Sequence, residues 1–212
     1  MTKIVLFVIS LVTSFSIVAQ GDNPFMSTDF TQITRLEFDR RVASPDLKTK
    51  LFCEVWCEGQ VITRLDTLDV KFNYDLSDEF FYINMNEKVF TIKSDFIIGF
   101  IMNERPYLCY NGYDEDKVMI LETLVRGDYT LYKHHGIKYF APDFDPILNI
   151  GNKEPTYKRT TDYFTYCGSG LHEISSKPKK ALKVLQKECG VAKGMKAKGD
   201  IEQFFEELNS ID

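Results

Sequence analysis

The sequence predicts an α+β domain: an antiparallel β-meander, strongly curled or barrel-like, with two short C-terminal helices packed on it. Three observations carry this expectation. Residues 70–76 alternate strictly between apolar and polar, turn residues punctuate the chain up to residue 132, and beyond residue 176 the apolar spacing changes from two to three or four.

In Val70-Lys71-Phe72-Asn73-Tyr74-Asp75-Leu76 every even position is apolar and every odd one polar, the period of a strand with one buried and one wet face. A helix would scatter these apolar residues around its axis, advancing about 200° per two-residue step. Ser77-Asp78 ends the run, residues 80–85 carry aromatic and β-branched side chains on both faces, Asn86-Glu87 makes a tight turn and residues 89–92 return. Residues 96–102 are continuously apolar and predict a central strand buried on both faces, with Gly99 marking a bulge. Residues 107–110, 119–125 and 129–133 continue the meander, with Asn111-Gly112 and Gly127-Asp128 as turns, for six or seven strands.

The flanking segments are read in the same way. Residues 33–38 alternate like a strand behind a lead-in turn at 29–32, and residues 51–56 and 60–63 can pair as a hairpin around Glu58-Gly59. The prolines between Phe140 and Pro155 predict a loop, and residues 157–166 add one strand. Residues 179–189 and 200–208 have helical spacing. Ser176 is the expected cap and Pro178 an early position of the first helix, with Gly190 as its stop; Asp200 and Gln203 form a capping box for the second. Neither helix is stable alone, so the apolar stripes Ala181, Leu182, Val184, Leu185, Cys189 and Ile201, Phe204, Phe205, Leu208 must pack on the sheet or on each other. Residues 190–199 read as a flexible basic connector.

At the N-terminus, Lys3, an apolar stretch from Ile4 to Val18 and the small Ala19 form the three parts of a secretory signal. The stretch is interrupted by Ser10, Thr13, Ser14 and Ser16 and is short for a bilayer crossing of about 20 apolar residues. The expected organisation is therefore a signal peptide over 1–20, a β-rich domain over 21–176 and a helical appendage over 177–212. The expected location is exported: periplasm, cell surface or extracellular. No transmembrane helix is expected after signal removal. A formal charge of −5 argues against a general nucleic-acid binder.

Five cysteines in an exported chain leave at least one thiol unpaired or paired with another molecule. The default expectation is buried free thiols acting as small hydrophobes. If a bridge forms, Cys167 with Cys189 is the favoured pair. Cys53 and Cys57 would stand about 13 Å apart along one regular strand, too far to bond unless a hairpin or bulge intervenes.

No catalytic, cofactor-binding or metal-ligating residue is assigned, and no cofactor is expected. His134 and His135 are strand neighbours pointing to opposite faces and cannot jointly chelate a metal; they suit an exposed hairpin end. Acidic loop residues such as Asp143, Asp145 and the Asp114-Glu115-Asp116 cluster are ordinarily solvated. Cys167-Gly168-Ser169-Gly170-Leu171-His172 holds a thiol, a hydroxyl and His172 but lacks the full Gly-x-Ser-x-Gly elbow. Arg126-Gly127-Asp128 matches a short adhesion tripeptide, although Gly-Asp is also an ordinary hairpin turn. Lys177, Lys179, Lys180, Lys183, Lys187, Lys193, Lys196 and Lys198 form a basic block that could meet an anionic surface such as lipid headgroups or polysaccharide. The simpler reading is a solvated face balanced by Glu202, Glu206, Glu207 and Asp212.

Residues 70–76, the strand at 96–102 and above all Ile120-Leu121-Glu122-Thr123-Leu124-Val125-Arg126-Gly127-Asp128-Tyr129-Thr130-Leu131-Tyr132, followed by the two-helix tail, resemble a group of exported proteins of unknown function common in Bacteroidetes. The Val-Ala-Gln end of the signal is similar to that group too. The resemblance implies an envelope or extracellular location and supplies no catalytic residues. The leading expectation is a non-enzymatic binding or structural module of the cell envelope, whose partner is another envelope protein or a polysaccharide. The alternative is a secreted hydrolase using acidic and His residues of the 134–145 region.

Overall fold

Side chains that alternate between core and solvent let strands lie side by side. The computed structural model, which describes residues 30–33, 49–86, 88–114, 117–168 and 170–210, places eleven strands in one antiparallel sheet. They are β1 (Phe30–Ile33), β2 (Cys57–Thr63), β3 (Thr67–Tyr74), β4 (Phe80–Met85), β5 (Lys88–Lys93), β6 (Ile97–Met102), β7 (Arg105–Asp114), β8 (Lys117–Val125), β9 (Thr130–Phe140), β10 (Thr156–Cys167) and β11 (Gly170–Ile174). Helices α1 (Pro178–Glu188) and α2 (Ile201–Asn209) follow. The spatial order is β1-β5-β4-β3-β2-β6-β7-β8-β9-β10-β11, a meander from β6 onward. The signal segment 1–20 and most of the expected strand at 33–38 lie outside the described residues.

The sheet is open, which corrects the expectation of a strongly curled or barrel-like one. A barrel needs its first and last strands to share a ladder, and here β1 and β11 end the order without pairing. Helices supply cover instead, with α1 packed against β11 and α2 against β8 and β9. One face of β2–β8 gathers Val61, Phe72, Phe81, Phe100, Cys109 and Ile120 into a core, and Phe100 stacks on Tyr107 at 4.6 Å between centroids. A second core joins Val125 and Leu131 to Ala181, Leu185, Ile201, Phe204, Phe205 and Leu208, so the expected helical stripes bury where their spacing said they would.

The Asp200–Gln203 capping box is present, with the Gln203 amide donating to Asp200 at 2.9 Å. Ser176 does not cap α1. Its N-cap is Lys177, Pro178 takes the first turn, and Gly190 at φ +73° supplies the left-handed stop. The connector after it is packed rather than loose, because Val191 is buried and Met195 and Ala197 lie against the second core.

Several strand expectations are also revised. Residues 30–33 form β1 rather than a lead-in turn. Ile98 is 47% exposed, so β6 buries one face and not two. The register shift lies opposite Ile62 and Thr63, beside Gly99. Gly99 itself is required by close approach, because a Cβ there would collide with the Tyr107 carbonyl oxygen. Asn111-Gly112 is not a turn, since β7 runs through it to Asp114. Glu58-Gly59 lies inside β2 rather than at a hairpin tip.

Two disulfides overturn the default of free thiols: Cys167–Cys189, with Cα atoms 5.7 Å apart, and Cys53–Cys57, at 5.8 Å. The second is possible because residues 53–56 leave strand geometry just before β2. Buried Asn73 holds that detour. Its Oδ1 accepts from the Cys53 and Tyr74 amides, and its Nδ2 donates to the carbonyls of Cys53 and Val55. Cys109 is the free, buried cysteine.

Candidate functional site

The β9–β10 hairpin runs past the end of β8, whose register with β9 stops at His135, while β9 and β10 stay paired out to Phe140 and Thr156. The 141–155 loop closes it, as its prolines predict. Asp143 and Asp145 build the loop. The Asp143 carboxylate accepts from the Asn152 amide at 2.6 Å, and that of Asp145 from the amides of Ile147 and Leu148 at 2.8 and 3.2 Å. Backbone bonds from Asp143 to Asn152 and from Asp145 to Ile150 close the same turn.

What this fixed turn presents is apolar. Ile147 is 91% exposed, Leu148 63% and Ile150 59%, with Tyr139 and Phe140 exposed beneath them. Lysines frame the patch: Lys153 sits 4.5 Å above the Phe144 ring and Lys138 5.4 Å from that of Phe140. Large aliphatic side chains clustered on a protruding turn are the usual mark of a surface that another molecule covers. In the sequence the segment reads as a loop. Three aliphatic residues, Ile147, Leu148 and Ile150, among the turn signals were the available clue.

The residues considered for hydrolysis are not brought together. His134 and His135 do point to opposite faces, but from the middle of β9 rather than from a hairpin end. His134 Nδ1 lies 3.8 Å from Asp162, whereas His135 Nε2 lies 2.8 Å from Glu122. The carboxylates of Asp143 and Asp145 are bonded to amides of their own loop.

Glu122 gathers a polar cluster that the sequence reading missed. Its side chain is 6% exposed and receives Arg105 Nη1 at 2.6 Å, with Lys133 Nζ at 3.9 Å. Tyr107 is its cross-strand neighbour on β7. Burial pushes the Glu122 carboxyl up, but hydrogen bonds from Arg105 and His135 outweigh this and leave it below the usual range. Burial likewise raises Tyr107 to about 12 and keeps His135 below its ordinary value despite Glu122. Both Glu122 oxygens are engaged, so Glu122 reads as a buried carboxylate satisfied by partners that reach toward the surface. Its signal in the sequence was a carboxylate in the inward phase of Ile120.

The remaining motifs fall elsewhere. Folding brings one ligand atom each of Cys167, His172 and Cys189 within 4.8 Å of one another, but the disulfide commits both sulfurs. Arg126, Gly127 and Asp128 are exposed at the β8–β9 corner, which Asn209 of α2 grips at Tyr129. Of the acidic cluster, Glu115 and Asp116 lie outside the described residues. No helix of the described residues is long and apolar enough to cross a membrane. Comparison with protein-family models, curated proteins and solved structures finds no match for the chain.

Proposed function

We propose that this chain is an exported, non-enzymatic binding module of the cell envelope that docks another envelope protein through the apolar tip of its β9–β10 hairpin. The observation that carries the reading is the exposure of Ile147, Leu148 and Ile150 on a turn already fixed by Asp143 and Asp145. A turn ordered before contact loses little conformational freedom on binding, so its aliphatic side chains act as preformed anchors. Aliphatic anchors suit an apolar groove on a protein. The most exposed apolar side chains of the tip, Ile147, Leu148 and Ile150, offer neither the flat aromatic face nor the hydrogen-bonding groups by which a polysaccharide is held. Export is supported by the signal pattern of residues 1–20 and by two disulfides, which persist in oxidising compartments. Against hydrolysis from the 134–145 region stand the separate faces of His134 and His135 and the structural use of Asp143 and Asp145.

The test is cross-linking in intact cells with the full chain and with Ile147→Asp/Leu148→Asp. The reading expects the protein in envelope or medium fractions and one envelope protein captured by the wild type and lost with the variant. Equal capture by both, or residence in the cytosol with residues 1–20 retained, would overturn it.

A further inference from the structure

The basic block read from the sequence as a solvated face has a shape that the sequence did not reveal. Helix α1 and the 195–198 segment line a shallow, solvent-open groove of about 500 Å³. Lys179 and Lys183 line it from the helix, Lys196 and Lys198 from the facing segment, and Leu182, Met195 and Ala197 supply apolar wall between them.

The groove is held open by the fold. Gly190 turns the chain back at φ +73°, and the Cys167–Cys189 bond pins that turn to the end of β10. The Val191 amide donates to the Leu185 carbonyl at 3.3 Å, and Gln186 donates to the Ala192 carbonyl at 3.3 Å.

Of the expected balancing carboxylates, Asp212 lies outside the described residues and the other three are not paired with the groove. Among the described residues, none of the four lysines forms an ion pair with Glu202, Glu206 or Glu207, while Glu188 is taken by Lys187 at 2.5 Å. Four ammonium groups without carboxylate partners repel one another, and an anion relieves that repulsion. A purely hydrophilic polyanion would leave Leu182 and Met195 unused. A ligand with a charged head and an apolar body uses both parts.

We infer that this groove binds the headgroup of an anionic phospholipid, its phosphate among Lys179, Lys183, Lys196 and Lys198 and its upper acyl chain against Leu182 and Met195. The surface is separate from the hairpin tip: β10 carries Thr156 at the tip end and Cys167 at the groove end, about 36 Å apart along the strand. Either assignment can therefore fail without the other.

The test is co-sedimentation of the disulfide-bonded protein with phosphatidylcholine vesicles made with or without phosphatidylglycerol. Binding should require phosphatidylglycerol, weaken with salt and resist competition by inorganic phosphate. Each lysine near such a surface contributes about a factor of five, so Lys179→Gln/Lys183→Gln should bind about 25-fold more weakly. All four lysines are exposed, so the fold is expected to survive, with circular dichroism as the check. Met195→Ser should weaken vesicle binding while leaving retention on an anionic polysaccharide resin unchanged. The inference is overturned by wild-type protein that does not sediment, by equal binding without phosphatidylglycerol, by undiminished binding of the lysine variant, or by loss of binding in Ile147→Asp/Leu148→Asp.

Discussion

Asn209 closes both backbone hydrogen bonds of Tyr129: its Oδ1 accepts from the Tyr129 amide and its Nδ2 donates to the Tyr129 carbonyl, each at 3.0 Å. One side chain thus joins the last turn of α2 to the β8–β9 corner, 80 residues earlier in the chain. Replacing Asn209 with Ala removes both bonds and should cost about 2 kcal/mol, read as a fall in thermal midpoint of roughly 4–8 °C. An unchanged midpoint would show that the helix is held by its apolar face alone.

Asn73 is the corresponding fastener near the N-terminal end of the sheet. Asn73→Ala strands four backbone groups that its amide now satisfies, and denaturant unfolding should show a loss of about 3 kcal/mol. Asn73→Asp should not rescue it, because a carboxylate accepts but cannot donate to the Cys53 and Val55 carbonyls.

The two disulfides should differ in weight. Cys167–Cys189 closes a separation of 22 residues and Cys53–Cys57 one of four. Loop-closure entropy then predicts losses of about 3 and about 2 kcal/mol for the respective double Ala variants. Measured in that order, the values support the entropic account; reversed, they point to the Asn73 detour as the costlier element.

Stability should fall on acidification in two stages. Burial holds His134 and His135 below 6.5, with Asp162 and Glu122 opposing, so below that pH the folded state binds fewer protons than the unfolded chain. Their contribution is complete above about pH 6.5 and is lost as pH falls through the folded values. Glu122 adds stability that is present above 4.5 and disappears below it. His135→Gln should flatten the upper stage. Glu122→Gln should lower the His135 pKa further, seen by NMR titration of the ring; no movement would mean that the 2.8 Å contact does not form in solution.

The hairpin tip should be thermodynamically silent. Ile147→Ser removes a side chain that the fold scarcely touches, so its stability should stay within about 0.5 kcal/mol of wild type. A larger loss would mean the tip is packed in the free protein and not available for docking.

Much of the sheet was legible because strands with one buried face announce themselves by period. Residues 80–85 are β4 as expected, and the 70–76 alternation marks β3. Helix α2 was equally readable, since its cap and its four buried residues are local features. Sheet closure was not, because it depends on which edges meet, and no local pattern encodes that. Strand β11 hid behind Cys167-Gly168-Ser169-Gly170, which reads as loop in the sequence, yet Gly170 already pairs with Cys167 at the head of the strand. Isolated charges inside apolar runs were passed over, so Glu122 and its partner Arg105, 17 residues apart, went unseen. The hairpin tip and the lysine groove needed three dimensions: exposure decides the first, and convergence of two segments the second.

Cys109 carries the one thiol among the described residues that is outside a bridge, and it is 7% exposed with its ionisation suppressed by burial. A sulfur kept protonated and out of reach cannot attack either bridge, so the native pairing is insulated against scrambling once the chain has folded. Alkylating reagents can meet it only through an opening of the sheet, which makes its labelling rate a built-in clock for how often the interior is unsealed.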